Sequence, residues 1–188
     1  MAESGVTKKV LAYAIKDLMR QRPLSKITVG DICEACDMNR KSFYYHFRDK
    51  YDLVNWIFYT EFFEEYLQDE DGLETVDVLT RFCCFFQKNM SFYRAALKQT
   101  GQNSFYEYLG DVLRPLVVNR LKPYCAHEPH FDFYVDLFIN IYRDALVRWV
   151  LDGCTPDAET FVQLLYKASA MLGKLAPVDD QNVLEKRA

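Results

Sequence analysis

With 188 residues, half of them apolar and 15% aromatic, the chain can bury a sizeable core, which excludes intrinsic disorder. Seven glycines and six prolines are few for this length and argue for helices over a turn-rich β sandwich. The net charge of −4 hides a division: residues 1–50 hold ten Lys/Arg against six acids (+4), and the remainder holds 13 against 21 (−8), as in a polyanion binder with a basic N-terminal portion.

The elements follow in chain order. Thr7 to Gln21 reads as a first helix, with Val10, Leu11, Ala14, Ile15 and Leu18 on one face, Thr7 as its N-cap and Pro23 as its stop. Thr28 opens a second helix that runs to about Cys36. Thr28 and Asp31 have capping-box spacing, and Ile27 and Ile32 form a hydrophobic staple. Asp37 falls in the turn, where Asp tolerates a left-handed backbone better than most residues. Asn39 caps a third, short helix with Met38 and Phe43 as staple and Phe43 and Phe47 on the buried face.

That third helix crowds Asn39, Arg40, Lys41, Ser42, Tyr44, Tyr45 and His46 onto a polar face. Such side chains hydrogen-bond base edges and phosphates, and a helix this short suits the major groove of DNA. Asp49 caps a fourth helix from Lys50 to about Leu67, patterned by Leu53, Val54, Ile57, Phe58 and Phe62. The acidic stretch 68–74 marks a boundary: 1–50 is a helix-turn-helix domain, the fourth helix (50–67) a connector, and 68–188 a regulatory and dimerisation domain. Helical patterns follow at about 75–88, 91–99, 104–122, 131–152 and 157–175, with capping-box spacing at Ser104 and Glu107. Thr155, Pro156 and Asp157 read as N-cap, N1 proline and acidic first turn. The last dozen residues are polar and read as frayed. The fold class is therefore all-α.

The stretch Lys26 to Val54, KITVGDICEACDMNRKSFYYHFRDKYDLV, resembles the signature of the TetR/AcrR family of transcriptional regulators, and residues 7–60 resemble that family's N-terminal domain. The resemblance implies a homodimer. Each subunit would join a three-helix DNA-binding domain to a larger helical-bundle regulatory domain and bind double-stranded DNA at a pseudo-palindromic operator. It implies a phosphate contact at Thr28 and base or phosphate contacts at Arg40, Lys41, Ser42, Tyr44, Tyr45 and His46. It also implies a grip on backbone phosphate by Lys50. Arg40 and Lys41 are the expected base readers, since long basic donors reach guanine. The family often has Gly where this chain has Asp37. The function so implied is a dimeric repressor released from its operator by a small-molecule effector. The alternative is a co-regulator of the same shape that binds a partner protein and no ligand. An open apolar cavity of about 300 Å³ or more would favour the first, and a closed, packed second domain the other.

Beyond the resemblance, the C-terminal aromatics Phe86, Tyr93, Phe105, Tyr108, Tyr134, Phe138 and Tyr142 are candidates to line a ligand pocket, since tyrosine joins an apolar body to a polar tip. Arg143 and Arg148 are expected at solvent or an interface. Phe161, Leu164, Leu165, Ala168, Met171 and Leu172 form a stripe expected to pair the last two helices across a two-fold axis as a four-helix bundle.

No catalytic residue is expected: there is no phosphate loop or nucleophile arrangement, and His46 has no carboxylate partner nearby in the chain. No cofactor is expected. Nor is a metal, because Cys33 and Cys36 lack a second ligand pair and His127 and His130 flank a proline in a loop. The six cysteines sit mostly in apolar helical patterns, where unpaired Cys is commonly buried. With no apolar N-terminal segment of signal-peptide type and no apolar run of about 18 residues, the expectation is a cytoplasmic protein without a membrane partner.

Overall fold

The computed structural model describes residues 2–64, 75–99, 101 and 103–175, and all regular structure among them is helical. α1 (Ala2–Gln21) leads through a short 3-10 turn (Leu24–Lys26) to α2 (Val29–Glu34), α3 (Arg40–His46) and α4 (Lys50–Phe58). α5 (Thr75–Lys88), α6 (Met90–Leu97), α7 (Phe105–Cys125), α8 (Phe131–Leu151) and α9 (Ala158–Leu175) follow. The boundary expected at 68–74, the end of the connector near Leu67 and the terminal dozen residues lie outside the described residues.

Local chemistry fixes the ends of the short helices. Thr28 Oγ1 accepts from the Asp31 amide at 3.1 Å while Asp31 Oδ2 accepts from the Thr28 amide at 2.7 Å, so the capping box is complete. Those bonds hold the Asp31 carboxyl below its ordinary pKa. α2 closes in a Schellman motif: the Met38 amide donates to Cys33 O at 2.9 Å and the Asp37 amide to Glu34 O at 3.3 Å. The motif needs a left-handed residue, and Asp37 supplies it at φ 52° without glycine's freedom. Asn39 caps α3, and Asp49 caps α4 through the Tyr51 and Asp52 amides, both at 2.8 Å.

Two starts differ from expectation. α1 begins at Ala2, so Thr7 lies inside it. Asp157, not Thr155, caps α9, accepting from the Thr160 amide at 2.9 Å. Two prolines do not stop α7 either. Pro115 and Pro123 sit inside it, each removing one helical N–H, and the helix continues to Cys125.

α4 carries the packing of the whole chain. Leu53, Val54 and Ile57 are buried with Leu11 and Ile15 of α1 and with Phe43 and Phe47 of α3. At Phe58 the helix passes into a π-helical turn (Tyr59–Glu64), a wider coil that recurs where helices carry function. The turn sets Phe58 and Phe62 against the rest of the bundle, stacked at 5.5 Å. The Phe58 ring meets those of Phe82, Phe85, Phe86, Tyr93, Phe105 and Tyr108, all with centroids between 5.4 and 6.1 Å. On the other side Glu61 forms an ion pair with Lys16 of α1. Phe58→Ala removes the centre of this cluster and should cost about 3–5 kcal/mol of unfolding free energy in urea titration. A loss below about 1 kcal/mol would show that the rings close over the gap.

Candidate nucleic-acid interface and regulatory cavity

α3 is bolted down from one side and open on the other. Phe43 and Phe47 are fully inside, with rings 5.8 Å apart. Arg40, Lys41, Tyr44 and Tyr45 recur at i, i+1, i+4 and i+5 and face solvent, Tyr45 at 82% exposure. Ser42 is half-buried, its amide and hydroxyl both donating to Asn39 Oδ1 at 2.8 and 3.2 Å, which leaves the hydroxyl oxygen able to accept. His46 is half-buried and meets Tyr45 edge-on at 4.9 Å. The Arg40 guanidinium lies back over the first turn of α2, where a Cβ on Gly30 would stand 2.6 Å from Nη2. Thr28 is exposed at the start of that turn, flanked by an Arg22–Asp31 ion pair at 3.1 Å. The residues expected on one surface are thus brought to one surface, with one exception.

The exception is Lys50. Its ammonium turns inward and donates to Leu24 O and Ile27 O, both at 2.7 Å, and to Ser25 O at 3.5 Å. Burial pulls its pKa below the ordinary lysine value. In this structure the Lys50 side chain thus ties the start of α4 to the turn that precedes α2, and a phosphate at the expected position would compete with Leu24 O and Ile27 O for it. The sequence offered the lysine but not the carbonyls, which only the 3-10 turn brings together.

A model of the bacterial regulatory proteins of the tetR family matches residues 13–57, and a model of a transcriptional regulator C-terminal region matches residues 74–170. The chain belongs to the TetR family of DNA-binding transcriptional regulators. It is 31% identical over 94 residues to the HTH-type dhaKLM operon transcriptional activator DhaS of Lactococcus lactis subsp. lactis (strain IL1403), a match that spans 50% of this chain and 50% of that relative's length. The solved structure of a dihydroxyacetone kinase operon activator DhaS superposes with a TM-score of 0.63 at 20% identity, covering 90% of this chain and 97% of that one. At that identity the likeness speaks for the fold.

In the C-terminal half of this TetR chain a cavity of about 590 Å³ opens between α5, α7, α8 and α9. Phe138 and Tyr142 line it, as expected. Phe86, Tyr93, Phe105 and Tyr108 do not: the first three are at most 2% exposed and, with half-buried Tyr108, form the ring cluster around Phe58. Tyr134 lies against Phe133 at 5.8 Å, away from the lining. The missed lining comes from Leu79 and Phe82 of α5, Leu116 and Arg120 of α7, and Leu165 and Ser169 of α9. Aromatic content pointed to the core. The signal that could have found the cavity is the proline-interrupted second half of α7, along which it runs.

The expected dimer stripe divides as well. Phe161 is turned inward and stacks on Trp149 at 4.6 Å and 5°, and Leu165 faces the cavity. Leu164, Ala168, Met171 and Leu172 are exposed. Phe133, Leu137 and Ile141, three exposed apolar residues at i, i+4 and i+8 on α8, were not anticipated. Arg148 faces solvent, paired with Asp152 at 2.7 Å. Arg143 instead packs over Tyr106 at 4.0 Å, in space that Gly110 leaves open.

Burial raises the thiol pKa of Cys33, Cys36, Cys83, Cys84 and Cys154. Cys83 is fully buried and pushed up to about 12 by burial, and Cys84 is raised by burial and then by Glu159 and Asp157. Cys36 Sγ donates to Ile32 O at 3.2 Å. Among the described residues no group of three or more His, Cys, Asp or Glu is placed to hold a metal, and no helix is long and apolar enough to cross a membrane.

Lys50→Met would leave Ile27 O without its Lys50 donor, while Leu24 O would keep only the Ile27 amide. It should lower unfolding free energy by about 1–3 kcal/mol, measured by urea denaturation; an unchanged midpoint would return Lys50 to the solvent.

Proposed function

We propose that the protein acts as a homodimer that presents two copies of α3 to successive major grooves of a pseudo-palindromic operator, and that a small molecule in the cavity resets its affinity for DNA. The observation that carries this reading is the outward placement of Arg40, Lys41, Tyr44 and Tyr45 on a helix whose other face is locked by Phe43 and Phe47. In this reading Arg40 and Lys41 read bases, while Tyr44, Tyr45 and His46 position the helix on phosphates, and Thr28 and Ser42 join them by turning hydroxyl protons now given to Asp31 and Asn39. Lys50 acts indirectly, by holding the start of α2 in place.

Leu164, Ala168, Met171 and Leu172 with Phe133, Leu137 and Ile141 supply an apolar surface of the kind that pairs helices into a four-helix bundle. Such a dimer sets the spacing of the two α3 helices. The cavity, at about 590 Å³, supports a ligand sensor over a co-regulator that docks a partner protein without a ligand. Phe82 lines the cavity and touches Phe62 at 5.0 Å and Phe58 at 5.9 Å, so an occupant bears on α4 directly. Ligand and operator then change one another's affinity by the same factor. If they oppose one another, the protein is a repressor released by its effector. If they cooperate, it is an activator, as both relatives are named.

The test begins with DNA fragments selected from a random pool by the purified protein. On the selected operator Arg40→Ala should relax preference at one base position by about 1–3 kcal/mol, with the log–log salt slope little changed because a base contact neutralises no phosphate. Lys50→Met should leave the salt slope unchanged. Parent-like binding by Arg40→Ala and Lys41→Ala together would remove α3 from the interface. Leu164→Glu with Met171→Glu should yield monomers in analytical ultracentrifugation and abolish cooperative operator binding; a variant still dimeric would place the interface elsewhere.

A further inference from the structure

We infer that the cavity between α5, α7, α8 and α9 takes an apolar molecule with a single anionic head, and that Arg120 selects for that charge. The inference rests on the reading of this cavity as an effector site and adds the chemical class of the effector. Residues 51–188 carry 21 acids against 13 basic residues, yet no Asp or Glu among the described residues lines the cavity. Among the described residues Arg120 of α7 is the one charged side chain in the lining. It is exposed, and no carboxylate among the described residues forms an ion pair with it, whereas Arg114, one and a half turns earlier on the same helix, is paired with Asp136.

The walls are mostly apolar, with Leu79, Leu116, Phe138 and Leu165 among them, and the uncharged polar groups come from Asn119, Ser169 and the tyrosines. Such walls strip water from whatever enters, and a cation entering here would lose its hydration with no acid to compensate. A carboxylate would find a guanidinium, whose planar donors match its two oxygens. A second polar contact is in place. Ser169 donates its proton to Leu165 O at 2.9 Å, so in its 3.4 Å pair with Tyr142 the tyrosine is the donor. That phenol can turn the same proton toward an incoming oxygen. The volume suits a drug-sized body.

Three chain-matched probes separate the possibilities by isothermal titration of the full-length protein without DNA: decanoate, decanol and decyltrimethylammonium. Decanoate should bind one site per subunit, at least about tenfold tighter than decyltrimethylammonium. Arg120→Gln, a change at an exposed position, should bring decanoate down to the affinity of decanol and leave decanol unchanged. Leu116→Trp, which narrows the cavity from α7, should weaken binding of all three. Equal or tighter binding of the cation, an anion preference that survives Arg120→Gln, affinities unmoved by Leu116→Trp, or no binding by any probe would each overturn the inference. Retention of the selected operator by unliganded protein is scored separately by filter binding, so a wrong ligand class and a wrong DNA-binding reading give different results.

Discussion

The ring of Phe58 is the constraint on which the arrangement depends. α4 belongs to two cores at once. Its first two turns, through Leu53, Val54 and Ile57, fill the space beneath α1 and α3, and its end, through Phe58 and Phe62, enters the aromatic cluster of the later helices. A helix shared in this way cannot slide a little. Packed interiors are about as dense as organic crystals, so a displacement either repacks many rings or does not occur. The Lys16–Glu61 ion pair ties α1 to the same turn, so a change at Phe58 reaches α1 by apolar contact and by charge.

Polar groups decide the fine geometry where the apolar core cannot. Helices as short as α2 and α3 do not stand alone, because few of their hydrogen bonds are internal to the helix. The Thr28–Asp31 box and the Asn39 cap supply missing partners, and Lys50 fastens the turn ahead of α2 to the start of α4. These groups are tied to one another and leave Arg40 and Lys41 exposed at the first turn of α3. The opposite situation holds at Tyr93, which is fully buried while its hydroxyl has no hydrogen-bond partner among the described residues. A buried hydroxyl in that state costs on the order of 1–3 kcal/mol. It sits beside Phe86 and Phe105, within the cluster that any movement of α4 must rearrange.

Much of this was legible in the sequence, for definite reasons. The caps at Thr28, Asn39, Asp49 and Ser104 and the left-handed turn at Asp37 are local, with partners a few residues away, so spacing revealed them, whereas the caps expected at Thr7 and Thr155 did not form. The outward face of α3 followed from the inward pair Phe43 and Phe47. What failed depended on contacts distant in the chain. Lys50 looked like a free cation because its acceptors lie 23 to 26 residues away. Phe86, Tyr93 and Phe105 looked like pocket residues because nothing in their spacing says that Phe58 gathers them. Phe161 and Leu165 sat in a stripe too wide for one interface. Which edge turned inward was settled by Trp149 and by the cavity.

The size of the effect required also fits the packing. Allosteric coupling between two sites amounts to about 1–3 kcal/mol, a 5- to 150-fold change in affinity. An aromatic pair contributes about 0.5–1.5 kcal/mol beyond its buried area. Phe82 faces the cavity and meets Phe58, Phe62 and Phe86, with centroids 5.0 to 5.9 Å away. Loss or reshaping of one or two of these contacts is therefore enough, and no larger rearrangement of the C-terminal helices is needed. Small exposed changes elsewhere on α8 or α9 carry no comparable leverage, because they touch α4 nowhere in the ring cluster. Were an effector to occupy the cavity as proposed, Phe82, which lines it and meets Phe58 and Phe62, is the side chain through which its binding energy would reach the connector.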